Sequence, residues 1–320
     1  MPRSAMTVGF KTGPRNWAEG QRIVTEFGAR MCEVWCRADQ TEQYTEPLAW
    51  FHKRRVTIGL HFWGLCAGNV LPNVATNHAD VRTESIQQVK RTVDFAQRTG
   101  CVYVNIHPGA QYLENIIFEP LTFSLLDSAA TPRATAERLM AEAAHELHEY
   151  AAARGVALTI ETITRFMKRR PLTADRHDLY DPGTMPLPFF QQLAQHGMHI
   201  ANDITHTAAA LPLTNPARDE LWQGVWDFTQ SVAQQTRLLH VNTLTPPYNG
   251  TDSHDGVTAS DWRRGVFPNR SQMITLLALF AGRPEVFAVP EPWRDMAGNF
   301  QALLGLCAEA LAGQPKNSLR

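Results

Sequence analysis

The chain has 320 residues, 44% of them hydrophobic, and its 30 Lys and Arg residues nearly balance 31 Asp and Glu residues, for a formal charge of −1. This length suits one large or two ordinary globular domains, and the balance excludes the global basic field that drives nonspecific nucleic-acid binding. The five cysteines form no paired CxxC arrangement, and no segment has the ~20 apolar residues that cross a bilayer, so a cytoplasmic protein without membrane contact is expected.

Short apolar segments recur along the whole chain and predict eight β-strands. They span residues 6–10, 29–35, 55–62, 101–107, 155–161, 197–203, 237–242 and 285–291. Segments with helical periodicity lie between them, among them 79–100 and 135–155, each of which ends at a glycine suited to a helix C-terminus.

This alternation of strand and helix predicts an α/β protein with a parallel sheet and helical crossovers. Eight repeats favour a closed (β/α)8 TIM barrel with its site at the C-terminal face of the strands. The alternative is a doubly wound open sheet, which the lack of a G-x-G-x-x-G segment after the first strand disfavours. No Gly/Ser linker or composition break divides the chain, so residues 1–320 are predicted to form a single domain.

Six consecutive predicted strands end in residue types that bind metal ions. In chain order these residues are His61, His107, Glu161, Asp203 with His206 three residues later, His240 and Glu291. A single histidine at a strand end is more often structural, but barrel strands converge at one face, so six such ends predict a cluster. Buried carboxylates packed closely repel one another unless cations compensate them, so the pattern predicts a divalent metal.

A polar loop after the seventh strand carries a further pair, Asp252 and His254. A loop over the barrel mouth can deliver such a pair to another metal ion, with His206 as the third ligand. Imidazole combined with carboxylate favours Zn²⁺, with Mn²⁺ or iron as alternatives.

The order and spacing of these residues resemble the endonuclease IV branch of the xylose isomerase-like TIM barrels, also called AP endonuclease family 2. The resemblance covers residues 55–292 and rests on His61, His107-Pro108-Gly109, Glu161-Thr162, Asp203-Ile204-Thr205-His206, His240-Val241-Asn242, Asp252-Ser253-His254 and Glu291.

The resemblance implies a centre of up to three Zn²⁺ ions. His61 and His107 would hold the first ion, and Glu161 would bridge it to the second. Asp203, His240 and Glu291 would hold the second. The third would be bound by His206, Asp252 and His254. The sugar isomerase and epimerase branch keeps only the positions of Glu161, Asp203, His240 and Glu291, around one metal.

Two departures separate the chain from the endonuclease pattern. Glycine follows Trp63 where the endonucleases typically carry an aromatic residue that wedges into DNA, so Trp63 becomes the candidate substrate contact. The segments 110–134 and 162–184 are longer than in the pattern, which is typical of a pocket reshaped for another substrate.

Basic residues near the predicted strand ends are candidate contacts for an anionic substrate. The substrate-binding candidates are Arg165, Lys168, Arg169 and Arg263, with Arg170, Arg264 and Arg270 nearby in sequence. Solvated loop charges are the alternative interpretation. Glu33, on the second strand, is either a substrate contact or a buried structural carboxylate.

The leading prediction is metal-assisted hydrolysis of a phosphoester in a small phosphorylated molecule, with DNA possible but not favoured by the net charge. The alternative is isomerisation or epimerisation of a sugar or sugar phosphate around a single metal, with Glu161 and Glu291 as the catalytic proton-transfer groups. A noncatalytic scaffold is disfavoured because every ligand type is present. The sequence does not fix the oligomeric state.

Overall fold

The computed structural model describes residues 5–118, 121–168, 179–213 and 216–313. The strands are β1 (Thr7–Val8), β2 (Phe10–Thr12), β3 (Met31–Arg37), β4 (Thr57–Trp63), β5 (Tyr103–Ile106), β6 (Glu114–Phe118), β7 (Leu121–Leu125), β8 (Ala157–Glu161), β9 (Met167–Lys168), β10 (Leu179–Tyr180), β11 (His199–Asp203), β12 (Thr236–His240) and β13 (Phe287–Val289). The α-helices are α1 (Trp17–Phe27), α2 (Thr45–Lys53), α3 (Ala79–Thr99), α4 (Arg133–Ala152), α5 (Leu187–Gln195), α6 (Ile204–Ala210), α7 (Arg218–Val232), α8 (Ala259–Arg263), α9 (Arg270–Ala278) and α10 (Met296–Ala312).

Nine of these strands form one parallel sheet in the order β1-β13-β12-β11-β8-β5-β4-β3-β2. β1 and β2 are two halves of one barrel strand, because only Gly9 separates them. The first half pairs with β13 and the second with β3, so this strand closes the barrel. A side chain at Gly9 would place its Cβ 2.0 Å from the sulfur of Met31, which explains the glycine at this closing position. The predicted TIM barrel and its eight strands are confirmed.

The predicted helices at 79–100 and 135–155 are confirmed as α3 and α4. α3 ends at Gly100, which adopts the left-handed conformation that the sequence pattern predicts. Among the described helices, none has both the length and the apolar character that a bilayer crossing requires.

The interior of the barrel changes from apolar to charged along the strand direction. Met31, Tyr103, Leu238 and Val289 form a buried apolar cluster at the lower level. Because alternate residues of a strand face the same side, the next interior positions after Met31 and Tyr103 are Glu33 and Asn105. The charged layer therefore lies towards the C-terminal ends of the strands.

Two antiparallel hairpins interrupt the regular repeat, and both fall in segments that the sequence analysis treated as long loops. β6 pairs with β7 between β5 and α4, and β9 pairs with β10 between β8 and α5. The hydroxyl of Tyr180 donates a hydrogen bond to Glu114 Oε1 over 2.6 Å and ties the two hairpins together. Burial raises the pKa of Glu114 to about 7, against the opposing effect of this hydrogen bond.

Candidate metal centre

Four of the predicted ligands, hereafter the strand-held group, converge where the barrel strands end. They are Glu161, Asp203, His240 and Glu291, and one ligand atom from each lies within 4.8 Å of the others. His240 Nδ1 is the nearest to their centre. It lies 3.3 Å from Glu161 Oε1, 3.2 Å from Glu291 Oε2 and 3.7 Å from Asp203 Oδ2.

Three of these converging atoms have no hydrogen-bond partner among the described residues. They are Glu161 Oε1, His240 Nδ1 and Glu291 Oε2. A buried polar atom without a partner costs about 1–3 kcal/mol, so native structures leave few of them. One divalent ion bound by all three would satisfy them together, and an imidazole with three carboxylates suits Zn²⁺ or Mn²⁺. The strand-held group therefore fits a divalent metal ion.

The side chain of Glu33 orients the histidine of this group. Glu33 is fully buried, and its Oε2 accepts a hydrogen bond of 2.7 Å from His240 Nε2. A hydrogen on Nε2 leaves the lone pair of Nδ1 directed towards the three carboxylates, an arrangement typical of metal-binding histidines. The structure thus shows Glu33 as a buried carboxylate that supports His240.

Electrostatics also indicate an excess of negative charge at this place. Burial disfavours a charged imidazole, yet Glu33 and Glu161 raise the pKa of His240 well above its usual value. Burial likewise opposes ionisation of Glu291, but Lys11 and His240 lower its pKa to about 2. The carboxylates of Glu161 and Glu291, whose pKa values are both lowered, therefore remain ionised, and a divalent cation would balance them.

A second ligand set, hereafter the loop-held group, consists of His206, Asp252 and His254. Asp252 Oδ2 lies 3.0 Å from His206 Nε2 and 3.2 Å from His254 Nε2. The Nδ1 atoms of the two histidines donate to backbone carbonyls, His206 to Thr162 over 2.8 Å and His254 to Glu291 over 3.0 Å. Both histidines therefore direct Nε2 at the same carboxylate oxygen, as in a metal site with outer hydrogen bonds.

His206 and His254 of the loop-held group are positioned in different ways. Asp203 caps α6, because its Oδ1 accepts from the backbone N–H of Thr205 and of His206, and so the D-x-x-H spacing fixes His206 beside the strand-held group. His254 instead has a φ of +41°, in the left-handed region that residues other than glycine rarely adopt. Such conformations cost about 1–3 kcal/mol and are concentrated at functional sites.

The third predicted set, His61 and His107 with Glu161, also lies within 4.8 Å, and Lys11 contacts its His61. Lys11 is 2% exposed, and its Nζ lies 2.7 Å from His61 Nδ1 and 2.6 Å from Glu291 Oε1. Burial lowers the pKa of Lys11, but Glu291 and Glu33 more than offset this and raise it. No sequence pattern predicts a role for Lys11. Its signal was a basic residue at an interior position of the first strand, two residues after Gly9.

Aromatic side chains cover the His61 side of the centre. The Trp63 ring stacks on His61 with centroids 6.0 Å apart and packs against Phe118 and Phe123 of the β6–β7 hairpin. On the other side, Trp293 is 47% exposed and lies 5.4 Å from the ring of His254. Trp63, a predicted substrate contact, is therefore partly buried against the hairpin.

Two described candidates for the predicted basic rim lie at the surface, and two neighbouring arginines form ion pairs. Arg165 is exposed and lies 4.9 Å from the Phe166 ring, and Arg263 is exposed at the end of α8. Arg264 pairs with Asp255 at 2.8 Å and with Asp261 at 2.6 Å, while Arg270 pairs with Glu309. Arg169 and Arg170 lie outside the described residues, as does the side chain of Lys168. Charge counts along the sequence could not reveal these acidic partners.

The parallel barrel with its connecting helices is a TIM barrel. A family model described as xylose isomerase-like TIM barrel matches residues 22–179 of the chain. No curated protein matches the sequence significantly.

Solved structures with the same fold include both branches of the family. A D-tagatose 3-epimerase-like protein has 13% sequence identity and a TM-score of 0.63, with 96% of this chain and 98% of that chain covered. 3-Keto-D-glucoside 4-epimerase YcjR from E. coli has 14% sequence identity and a TM-score of 0.60, with 95% of this chain and 99% of that chain covered. Endonuclease IV from Thermus thermophilus has 12% identity and a TM-score of 0.53, with coverage of 96% and 100%. At these identities the likeness shows the fold alone.

Proposed function

We propose that the chain is a divalent-metal-dependent epimerase or isomerase that acts on a small keto sugar or a related sugar derivative. One observation carries this proposal. Glu161 and Glu291 each direct an unpartnered carboxylate oxygen at His240 Nδ1, at 3.3 Å and 3.2 Å. Two carboxylates that flank one metal position are what proton transfer at a carbon next to a carbonyl requires.

A divalent ion in the strand-held group would polarise the carbonyl oxygen of the sugar and so acidify the adjacent C–H bond. Glu161 and Glu291 are then the two proton-transfer groups. In epimerisation one removes the proton and the other returns one to the opposite face of the same carbon. In isomerisation the proton is returned to the neighbouring carbon. Asn105, which donates to Glu161 Oε2, and Lys11, which donates to Glu291 Oε1, hold the two carboxylates in place.

The surroundings of the centre favour a small substrate. The β6–β7 hairpin covers Trp63, and the Tyr180–Glu114 hydrogen bond fixes that hairpin to the second one. Aromatic rings around a buried polar centre suit a sugar ring, since its C–H faces pack on indole while its hydroxyls reach polar groups. The similar folds of the D-tagatose 3-epimerase-like protein and of 3-keto-D-glucoside 4-epimerase support this substrate class.

The loop-held group favours a second candidate function, phosphoester hydrolysis. Its three side chains converge within 4.8 Å and resemble the additional metal position of the endonuclease branch. Metal-bound water has a pKa of about 7 in hydrolytic zinc sites, which supplies a nucleophile at neutral pH. We rank this function second because the rim arginines Arg264 and Arg270 are already paired with acids.

Proton exchange with solvent tests the proposal without knowledge of the product. Metal-loaded protein is incubated in D₂O with ketopentoses, ketohexoses and 3-keto-glycosides, with and without a phosphate group. Proton NMR then follows the signal of the hydrogen next to the carbonyl. We expect that signal to disappear for at least one sugar class, and not with chelator-treated protein.

The hydrolytic alternative is measured on the same preparation. Release of nitrophenol from bis(p-nitrophenyl) phosphate and nicking of a duplex with an abasic site report phosphoester cleavage. Cleavage that depends on metal, together with no deuterium incorporation into any sugar, would replace the epimerase proposal by the hydrolase.

A further inference from the structure

Lys11 lies beside His61, one of the residues that the resemblance assigns to a metal ion. Its Nζ is 2.7 Å from His61 Nδ1, 2.6 Å from Glu291 Oε1 and 3.8 Å from Glu33 Oε2. These are the contacts of a cation among an imidazole and two carboxylates. A side chain of this chain thus provides positive charge inside the centre.

The contact with Lys11 occupies one ring nitrogen of His61 and so competes with metal binding. A lysine ammonium has three donors and no acceptor, so the contact with Lys11 uses the lone pair of His61 Nδ1. Asn105 Nδ2, also a donor, lies 3.4 Å from the same nitrogen. The hydrogen of the neutral ring is then on Nε2, a buried atom without a partner among the described residues. In this tautomer neither nitrogen has a lone pair left for a metal, and Glu33 Oε1 lies 3.3 Å from the same Nδ1.

Without His61, the predicted set of His61, His107 and Glu161 has too few ligands for a metal ion. His107 is part-exposed, with Nε2 3.7 Å from Glu161 Oε1, and Glu161 directs the same oxygen at the strand-held group. A zinc site with protein ligands normally has three or four. His107 and one shared carboxylate therefore do not form a complete site.

Lys11 is also fixed in position by the sheet and by its neighbours. It pairs in register with Glu33 across β2 and β3, and the Trp35 ring lies 5.5 Å from Nζ. With 2% of its surface exposed, the side chain is buried within the barrel.

We propose that Lys11 is a built-in cation that takes the place of a metal ion beside His61, so that metal binds at the strand-held and loop-held groups but not at His61. Lys11 acts as a positioning residue, because the same ammonium holds Glu291 Oε1 while Oε2 stays directed at His240 Nδ1. This inference concerns metal occupancy and holds for either candidate reaction.

Metal stoichiometry tests the inference independently of activity. Wild type, His61→Ala, Lys11→Met and the double variant are stripped with chelator, reloaded with excess Zn²⁺, desalted and analysed by inductively coupled plasma mass spectrometry. Lys90→Met is the matched control, because Lys90 forms an ion pair with Glu146 on the helical exterior. Circular dichroism establishes that each variant is folded.

We expect His61→Ala and Lys90→Met to bind as much metal as wild type. Lys11→Met frees the nitrogen of His61 and should bind about one more ion per chain, and the double variant should lose this gain. A loss of one ion in His61→Ala would overturn the inference, as would a folded Lys11→Met protein with the wild-type content. If Lys11→Met does not fold, the comparison of wild type with His61→Ala decides alone.

Discussion

The two ligand groups of the candidate centre use the same residue types but rest on different parts of the fold. Glu161, Asp203 and His240 end barrel strands and are fully buried, and Glu33 and Asn105 brace them from the same layer. The loop-held group takes two of its three members from a loop, in which His254 has a positive φ. The strand-held group is thus part of the barrel itself, whereas the loop-held group depends on how one loop closes.

This difference predicts which group the chemistry depends on. A rigid group with braced ligands preserves its geometry between turnovers, as a catalytic metal site requires. A group completed by a loop can change with substrate binding. We therefore expect substitutions in the strand-held group to abolish activity and those in the loop-held group to reduce it.

The largest effect is expected for Glu161→Gln. This change removes a proton-transfer group and a carboxylate ligand at once, and general acid–base catalysis alone contributes about 10²–10⁴-fold. Deuterium exchange into the sugar should fall by at least about 10³-fold, as measured by NMR at saturating metal. Glu114→Gln, a buried carboxyl of the β6–β7 hairpin, is the control and should keep most of the activity. Retention of more than about a tenth of the rate in Glu161→Gln would show that Glu161 is not a catalytic group.

A smaller effect is expected for Glu33→Gln, because Glu33 reaches the strand-held group through its hydrogen bond with His240. The amide no longer fixes the hydrogen on His240 Nε2 as strongly, and loss of such outer partners typically costs about 10–100-fold in metal affinity. Competition with a fluorescent chelator measures the affinity. At saturating metal the stoichiometry should equal that of wild type. An unchanged affinity would mean that the hydrogen bond between Glu33 and His240 does not tune the site.

Asp252→Asn combined with His254→Ala sharpens the comparison between the two groups. If the chain is an epimerase or isomerase, the strand-held metal should remain and the exchange rate should fall by roughly tenfold, because the loop contributes closure and contacts rather than proton transfer. Metal analysis and the NMR assay are performed on the same sample. Complete loss of exchange with the strand-held metal still bound would mean that the loop-held group is itself essential for proton transfer.

Glu114→Gln is expected to have the smallest effect on activity, but it should change how stability depends on pH. The pKa of Glu114 is raised to about 7 by burial, so the folded state binds the proton more tightly than the unfolded state. The resulting stabilisation is complete below the ordinary glutamate pKa and is lost as the pH rises to about 7 and above. The change in the free energy of unfolding should be on the order of 3 kcal/mol.

Urea denaturation of wild type and Glu114→Gln at several pH values measures this contribution. The variant should lack the part of the pH dependence between about pH 4.5 and 7 that wild type shows. Identical pH profiles of the two proteins would mean that Glu114 is ionised in the folded state. That result would also remove it as a buried neutral control for Glu161→Gln.

The sequence predicted the barrel and the positions of its nine candidate ligands because both depend on local patterns. Apolar segments reveal strands, and parallel strands deliver their ends to one face, so His61 or Glu291 could be assigned without knowledge of distant contacts. The roles of Lys11 and Glu33 could not be predicted in this way. Glu33 acts on His240, which is 207 residues away in the chain, and a single lysine in a short strand resembles any surface lysine.

The predicted basic rim shows that sequence patterns do not reveal how side chains pair in the fold. Arg264 lies in a basic segment that begins directly after Asp261. In the fold, Asp261 and the more distant Asp255 both pair with it. Likewise the sequence pattern predicts a long loop for the segment that forms β6 and β7. Residues 114–118 nevertheless read ENIIF, a pattern with strand character. Direction and pairing of side chains depend on tertiary structure.

Anomalous diffraction from crystals of the metal-loaded protein would test the central claim most directly. We expect a strong peak coordinated by Glu161, Asp203, His240 and Glu291, with ligand distances of about 2.0–2.3 Å for zinc. Lys11 Nζ should still contact His61, with no peak between His61 and His107. A peak at His61 and His107, or none within the strand-held group, would contradict the account.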